Sequence, residues 1–276
     1  MKNSLKQKIL VLSDLDKSSS TTLKSAVSLA KMVHADIDFL YVKKPIELIK
    51  KENQLSANRI INQEYKAIEK KIQNLVNPIS KECGVSINYS FSFGNLKNVI
   101  GKYIDDNKPD IIVLGKRKSK PLRFIGDQIT DLVIKKHNGM ILITNEHNAL
   151  EPNKELSLGV LNGSEDTTNF DLVNHLIDHS QKPLKSFKIV KNSTEINRKN
   201  IQPNSEIIEY VFEQNENSIS NLSNYLSKNN INVLCVEREK KESKNGLYPI
   251  NTNIKDIISK LNVSLLITGE QNFSIQ

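Results

Sequence analysis

Tryptophan does not occur among the 276 residues, and the other aromatics are sparse, with Tyr 7 and Phe 8. Cysteine is scarcer still. Cys83 and Cys235 stand far apart without a CxxC partner, so neither a disulfide framework nor zinc-ligand spacing is present. No stretch approaches the roughly 20 apolar residues that cross a bilayer. The opening MKNSLKQKILVLSD has no signal-like core either, because Asp14 interrupts the apolar run early. A cytoplasmic location without a membrane partner is expected, and sequons such as Asn192-Ser193-Thr194 then carry no weight. Catalytic constellations are missing too. No Ser/His/Asp or Cys/His set and no tuned carboxylate pair can be placed on strand ends, and no HxGH occurs, so no dedicated enzyme is expected. His175 and His179 have the i, i+4 spacing of a metal pair with Asp178 beside them. The Glu of HExxH is lacking, and a solvated helix face, with no metal, is the reading.

What is present describes a soluble globular chain: 38% hydrophobic and 25% charged residues, with a length that suits two domains each burying its own core. The formal charge of +8 and pI near 9.2 are spread over most helices and loops instead of forming one basic face, so no specific nucleic-acid partner is expected.

Apolar runs and helical spacing alternate regularly. Lys8 to Ser13 (KILVLS) is a continuous apolar run, the pattern of a parallel strand covered on both faces. Asp14 to Ser20 follow with capping oxygens, and Leu23, Ala26, Val27, Leu29, Ala30 and Val33 recur at helical spacing. Strands are then expected at 37–42, 85–93, 110–114 and 140–144. Between them fall a long helix through Ile60 to Val76, a helix from Asn95, and one over Asp127 to Lys136. Five strands and four helices in about 140 residues predict a doubly wound parallel α/β sheet. Ligands of such sheets bind beyond the carboxyl ends of the strands, here the loops after Ser13, Val42, Phe93 and Leu114.

The polar segment 145–154 reads as a linker, after which the pattern restarts. Strands are expected at 156–161, 184–190, 207–212, 233–236 and 263–268, with helices near 166–179, 219–226 and 254–261. The second series has no counterpart to the long helix, only residues 191–204 between its second and third strands. Internal duplication accounts for the two series.

The strongest local feature runs from Asp110 to Asp127 (DIIVLGKRKSKPLRFIGD). A buried strand ends at Gly115, a basic loop follows, and Gly126 stands at a helix start. Glycine permits close backbone approach and helix-start N–H groups attract an anion. A strand-end turn followed by solvated lysines would look the same.

Residues 11–23 (VLSDLDKSSSTTL) and 110–144 together resemble the universal stress protein family, over about 140 residues in order and spacing. The resemblance implies two tandem, doubly wound, five-stranded Rossmann-like domains, at 1–146 and a shortened, degenerate 154–276, packed as an intramolecular pseudo-dimer with homodimerisation left open. It implies a stress-response role in which ATP or another adenine nucleotide, or another small anion, is bound and an unknown protein partner is informed. Asp14 matches the family's acidic position, Ser19 a recurrent serine. Asp14 and the backbone of Val42 would border base and ribose, and Gly115 and Gly126 the phosphates.

The family's nucleotide-binding pattern is a glycine, two residues, a glycine, nine residues, then glycine with serine or threonine. Here Lys118 replaces the second glycine, Asp127 the hydroxyl, and the loop is two residues shorter. Asp127 would repel phosphate, while Lys116, Arg117 and Lys118 would attract it. The rival expectation is a ligand-free adaptor or dimerisation module with a vestigial site. In the second series Val236 to Ile250 contains only Gly246, so no site of this type is expected there.

Overall fold

The computed structural model describes residues 6–44, 54–116, 125–146, 149–151, 154–162, 171–190, 207–238 and 254–268, with 54–58, 125–127, 171–173 and 255–256 described in backbone alone. The first half comprises β1 (Gln7–Ser13), α1 (Ser19–Val33), β2 (Ala35–Lys43), α2 (Gln54–Cys83), β3 (Ile87–Phe93), α3 (Leu96–Asn107), β4 (Ile111–Gly115), α4 (Ile125–Lys136) and β5 (Met140–Thr144). The second comprises β6 (Leu158–Leu161), α5 (Asp171–Asp178), β7 (Leu184–Val190), β8 (Ile207–Glu213), α6 (Ser218–Lys228), β9 (Val233–Val236), α7 (Ile254–Lys260) and β10 (Ser264–Ile267).

The ten strands form one sheet in the order β3-β2-β1-β4-β5-β10-β9-β6-β7-β8. Within each half every pairing is parallel, and the halves join where β5 meets β10 antiparallel, with Leu142 opposite Leu266. The α/β class and the two five-stranded parallel sets are as the sequence led us to expect. Their fusion into one sheet is an addition. The segment read as a linker is also tied down at its start: buried Asn145 donates from its backbone to Ser264 Oγ at 3.0 Å and from Nδ2 to the Asn262 carbonyl at 2.6 Å.

The continuous apolar runs follow from burial on both faces. Along β1, Ile9 and Val11 face a core with α1 and α2, while Leu10 and Leu12 face the opposite core with α3 and α4. Both cores continue into the second half, through Val160, Leu176 and Cys235 on one face and Phe187, Leu222 and Ile257 on the other. Asn95 fixes the start of α3 by accepting the Lys97 and Asn98 N–H groups at 3.0 and 3.3 Å. Helix α2 covers the outer strand of the first half, where Tyr65 packs on Phe91 and Gln73 donates to the Tyr89 hydroxyl at 3.0 Å. Only residues 191–206 separate β7 from β8 in the second half, outside the described residues.

Candidate functional site

Strands β1, β2 and β4 end side by side, and their ends open a cleft with about 720 Å3 of space free of protein atoms, open solvent included. Its floor is Leu12, Ser13, Asp14, Leu40, Val42, Leu114 and Gly115. One wall is the start of α1, with Ser18, Ser19 and Thr22; the other is Leu96 and Ile100 of α3 with Ile129 and Thr130 of α4. Three of the residues expected to form a site, Asp14, Val42 and Gly115, are therefore brought together. Phe93, whose loop was also a candidate, is not among the lining residues.

The turn after β1 is held by its own side chains. Ser13 Oγ donates to Ser19 Oγ at 2.8 Å and accepts the Leu15 N–H at 3.1 Å, with Leu15 in the left-handed region at φ 57°. Asp16 Oδ1 accepts from the Ser18 N–H at 2.9 Å and the Ser18 hydroxyl at 2.7 Å. Asp16 thus anchors the helix start, one of the roles the sequence left open for Asp14. Ser18, the N-cap residue, makes no side-chain cap bond, so the α1 terminus faces the cleft uncapped by it. Asp14 accepts the Asp16 N–H at a long 3.3 Å while lining the cleft. Nearby, burial raises the Tyr41 pKa; Lys43 lowers it, and Asp14 and Glu64 add to the rise. Lys43 itself is paired with Glu64.

Gly115 sits where β4 runs against α1. A Cβ there would lie 2.8 Å from Thr22 Oγ1, 3.6 Å from Ser18 Oγ and 3.9 Å from Thr144 Oγ1, so only glycine lets strand and helix approach this closely. The Thr22 and Thr144 hydroxyls are themselves 3.0 Å apart, both buried. The next residue departs from expectation. Lys116 donates its N–H to the Thr144 carbonyl at 2.8 Å and its ammonium to the Leu261 carbonyl at 2.5 Å, and burial lowers its pKa. Its charge is directed to the second half and not to an anion in the cleft. No basic side chain lines the cleft among the described residues.

Arg117 and Lys118 lie outside the described residues. Gly126 and Asp127 fall in the first turn of α4, with the side chain of Asp127 outside the description. The second-half segment 239–253, containing Gly246, lies outside it as well. Among the described residues no group of three or more His, Cys, Asp or Glu could hold a metal, and no helix is long and apolar enough to cross a membrane. Sequence reasoning missed Thr22, Thr130, Leu96, Ile100 and Ile129. The run Ser18-Ser19-Ser20-Thr21-Thr22 after a strand was a signal, but it reads equally well as capping chemistry.

A sequence model described as the universal stress protein family matches residues 6–145. A universal stress protein from Archaeoglobus fulgidus DSM 4304 superimposes with a TM-score of 0.69 at 12% identity, over 96% of this chain and 97% of that one. A functionally unknown protein from Pseudomonas aeruginosa PAO1 gives 0.57 at 13% identity, over 95% and 92%. A universal stress protein in complex with cAMP gives 0.40 at 18% identity, over 51% and 97%. No curated protein matches the chain.

Proposed function

Because the chain belongs to the universal stress protein family, we propose that residues 1–146 form a domain that binds an adenine nucleotide or a similar small anionic ligand without turning it over, and that 154–276 form its ligand-free companion. The observation that carries this reading is the convergence of Asp14, Val42 and Gly115 on one cleft at the carboxyl ends of parallel strands. Asp14 supplies a carboxylate for ribose hydroxyls. The Val42 backbone and the apolar side chains of Leu40, Leu96 and Ile100 suit the flat face of a base. Gly115 leaves room for a phosphate beside the start of α1, where Ser18 makes no side-chain cap bond and Asp16 takes the Ser18 N–H. Gly126 would border the phosphates by family resemblance; Arg117 and Lys118 add positive charge to the proposed site, and Lys118 and Asp127 stand where the family has a glycine and a hydroxyl. With Lys116 turned away and Asp127 acidic, a nucleotide with fewer phosphates is favoured over ATP. A role in stress response, with the bound state passed to a protein partner in the cytoplasm, is the physiological part of the proposal.

Acid extraction of freshly purified protein, followed by calorimetric titration with AMP, ADP and ATP, tests it. Saturable binding that is lost in Gly115→Val and weakened in Asp14→Ala is the expected result. No released nucleotide and no heat up to millimolar concentration would overturn it and leave the vestigial, adaptor-type module as the account.

A further inference from the structure

The two halves hold each other by a pair of bonds that repeat across their junction. Leu12 of β1 is in register with Leu114 of β4, and Leu161 of β6 with Val236 of β9. Two residues beyond these partners stand Lys116 and Arg238, which are therefore equivalent positions. The Lys116 ammonium donates to the Leu261 carbonyl at 2.5 Å, and the Arg238 guanidinium donates to the His137 carbonyl at 2.6 Å through Nη1. Leu261 and His137 are equivalent as well. Each donates its backbone N–H to the carbonyl four residues back, of Ile257 and Val133, and each lies three residues before the strand at the junction, β10 or β5. Each cation thus caps the last turn of the final helix of the other half, where carbonyls lack helical partners and the dipole favours positive charge.

We infer that Lys116 and Arg238 are positioning residues of a reciprocal clamp that fastens each half to the last helix of its neighbour. The clamp works whether or not the cleft is filled. Both cations are partly buried, so loss of either leaves a carbonyl at the junction without its donor. The clamp also sets the first cation of the basic loop after Gly115 apart, because it holds the fold and is not available to a ligand.

The test is amide hydrogen exchange on the full chain without nucleotide, so that failure of the binding proposal and failure of the clamp are separate results. Lys116→Met is expected to speed exchange about tenfold over 257–267, in the opposite half, and Arg238→Met to do so over 133–143, the scale of one lost charge-assisted bond. Lys102→Met, exposed on α3, is the control and should change neither. The milder Lys116→Gln and Arg238→Gln keep an N–H donor on a shorter stem; they give the same crosswise pattern at smaller amplitude and decide the matter if a methionine variant does not fold. Exchange that rises only in the substituted residue's own half, or not at all, would overturn the clamp.

Discussion

The two halves share one strand order and one register, yet the side chains along their strands differ, and a cleft lies at the strand ends of the first. Leu40 lines the cleft from β2, in register with Leu12; Phe187 occupies that position on β7, in register with Leu161. Two residues before each of these β1 and β6 partners stand Leu10 and Gly159. A Cβ on Gly159 would come within 2.6 Å of the Phe187 ring, so bulk has moved from one strand to its neighbour. Around Phe187 gather Tyr210 at 5.6 Å, Tyr225 at 5.8 Å and Phe212 at 6.5 Å between ring centroids. At the position of Ser13 stands Asn162, whose Oδ1 accepts the Ile189 N–H at 2.9 Å and draws the strand end onto β7. At the position of Gly115 stands Glu237. Backbone topology is therefore shared by the two halves, and side-chain volume at equivalent strand positions distinguishes them.

The largest way to break this difference is Phe187→Ala. The ring is fully buried, and its removal should cost about 3–5 kcal/mol of stability in urea unfolding. A loss below about 1 kcal/mol, within what an exposed side chain gives, would mean that the second half is not packed around this ring. Gly115→Ala attacks the first half by filling where Phe187→Ala empties. With Thr22 Oγ1 2.8 Å from the new methyl, overpacking should cost about 1–3 kcal/mol. Glu237→Ala at the equivalent position should not show that penalty, and equal losses at both positions would remove the distinction drawn here.

How much of this was legible in the sequence depends on whether the cause is local. Strands β5 and β9 fall where their apolar runs place them, to the residue, because burial on both faces leaves an uninterrupted signal, and β7 does so although Lys185, Ser186 and Lys188 interrupt its apolar positions. Nothing in Ile141-Leu142-Ile143 tells which strand will lie beside them, so the β5–β10 seam that makes one sheet of two was not readable. The cleft shows the same division. Asp14 and Gly115 follow strand ends and match a family pattern, whereas the Thr22–Thr144 contact joins residues 122 apart. Lys116 reads as part of a basic loop, and only the arrival of Leu261 from the other half explains where its charge goes.

Helix capping sharpens the comparison at a smaller scale. The Asn95 side chain accepts two N–H groups at the start of α3, but Asn217, the N-cap residue of α6, makes no such bond. The turn before α6 is instead held by Asn215, whose Oδ1 accepts the Asn217 N–H at 2.8 Å, and by Ser218, whose hydroxyl accepts the Asn215 N–H at 2.6 Å. Asn95→Ala should cost about 1 kcal/mol and Asn217→Ala less than about 0.5 kcal/mol, a contrast that thermal or urea unfolding of the two variants reads directly.

The smallest effect concerns pH, and it too separates the halves, since His137 and Leu261 occupy equivalent places and only one titrates. Burial lowers the His137 pKa below its ordinary 6.5, the Arg238 charge lowers it further, and backbone bonds with Asp110 and Met140 and the Asp110 carboxylate act in the opposite direction. The folded chain therefore holds the imidazole neutral to lower pH than the unfolded chain does. Above 6.5 both states are neutral and the full stability is present; as pH falls through that value the unfolded state takes up a proton first, and stability declines until the folded pKa is passed. Urea midpoints measured from pH 7.5 to 5 should fall for the wild-type protein, and His137→Gln should flatten that slope while leaving the Arg238 contact to the backbone carbonyl of residue 137. An unchanged slope in the variant would mean that the proton is taken up elsewhere and that the two helix ends respond to acid alike.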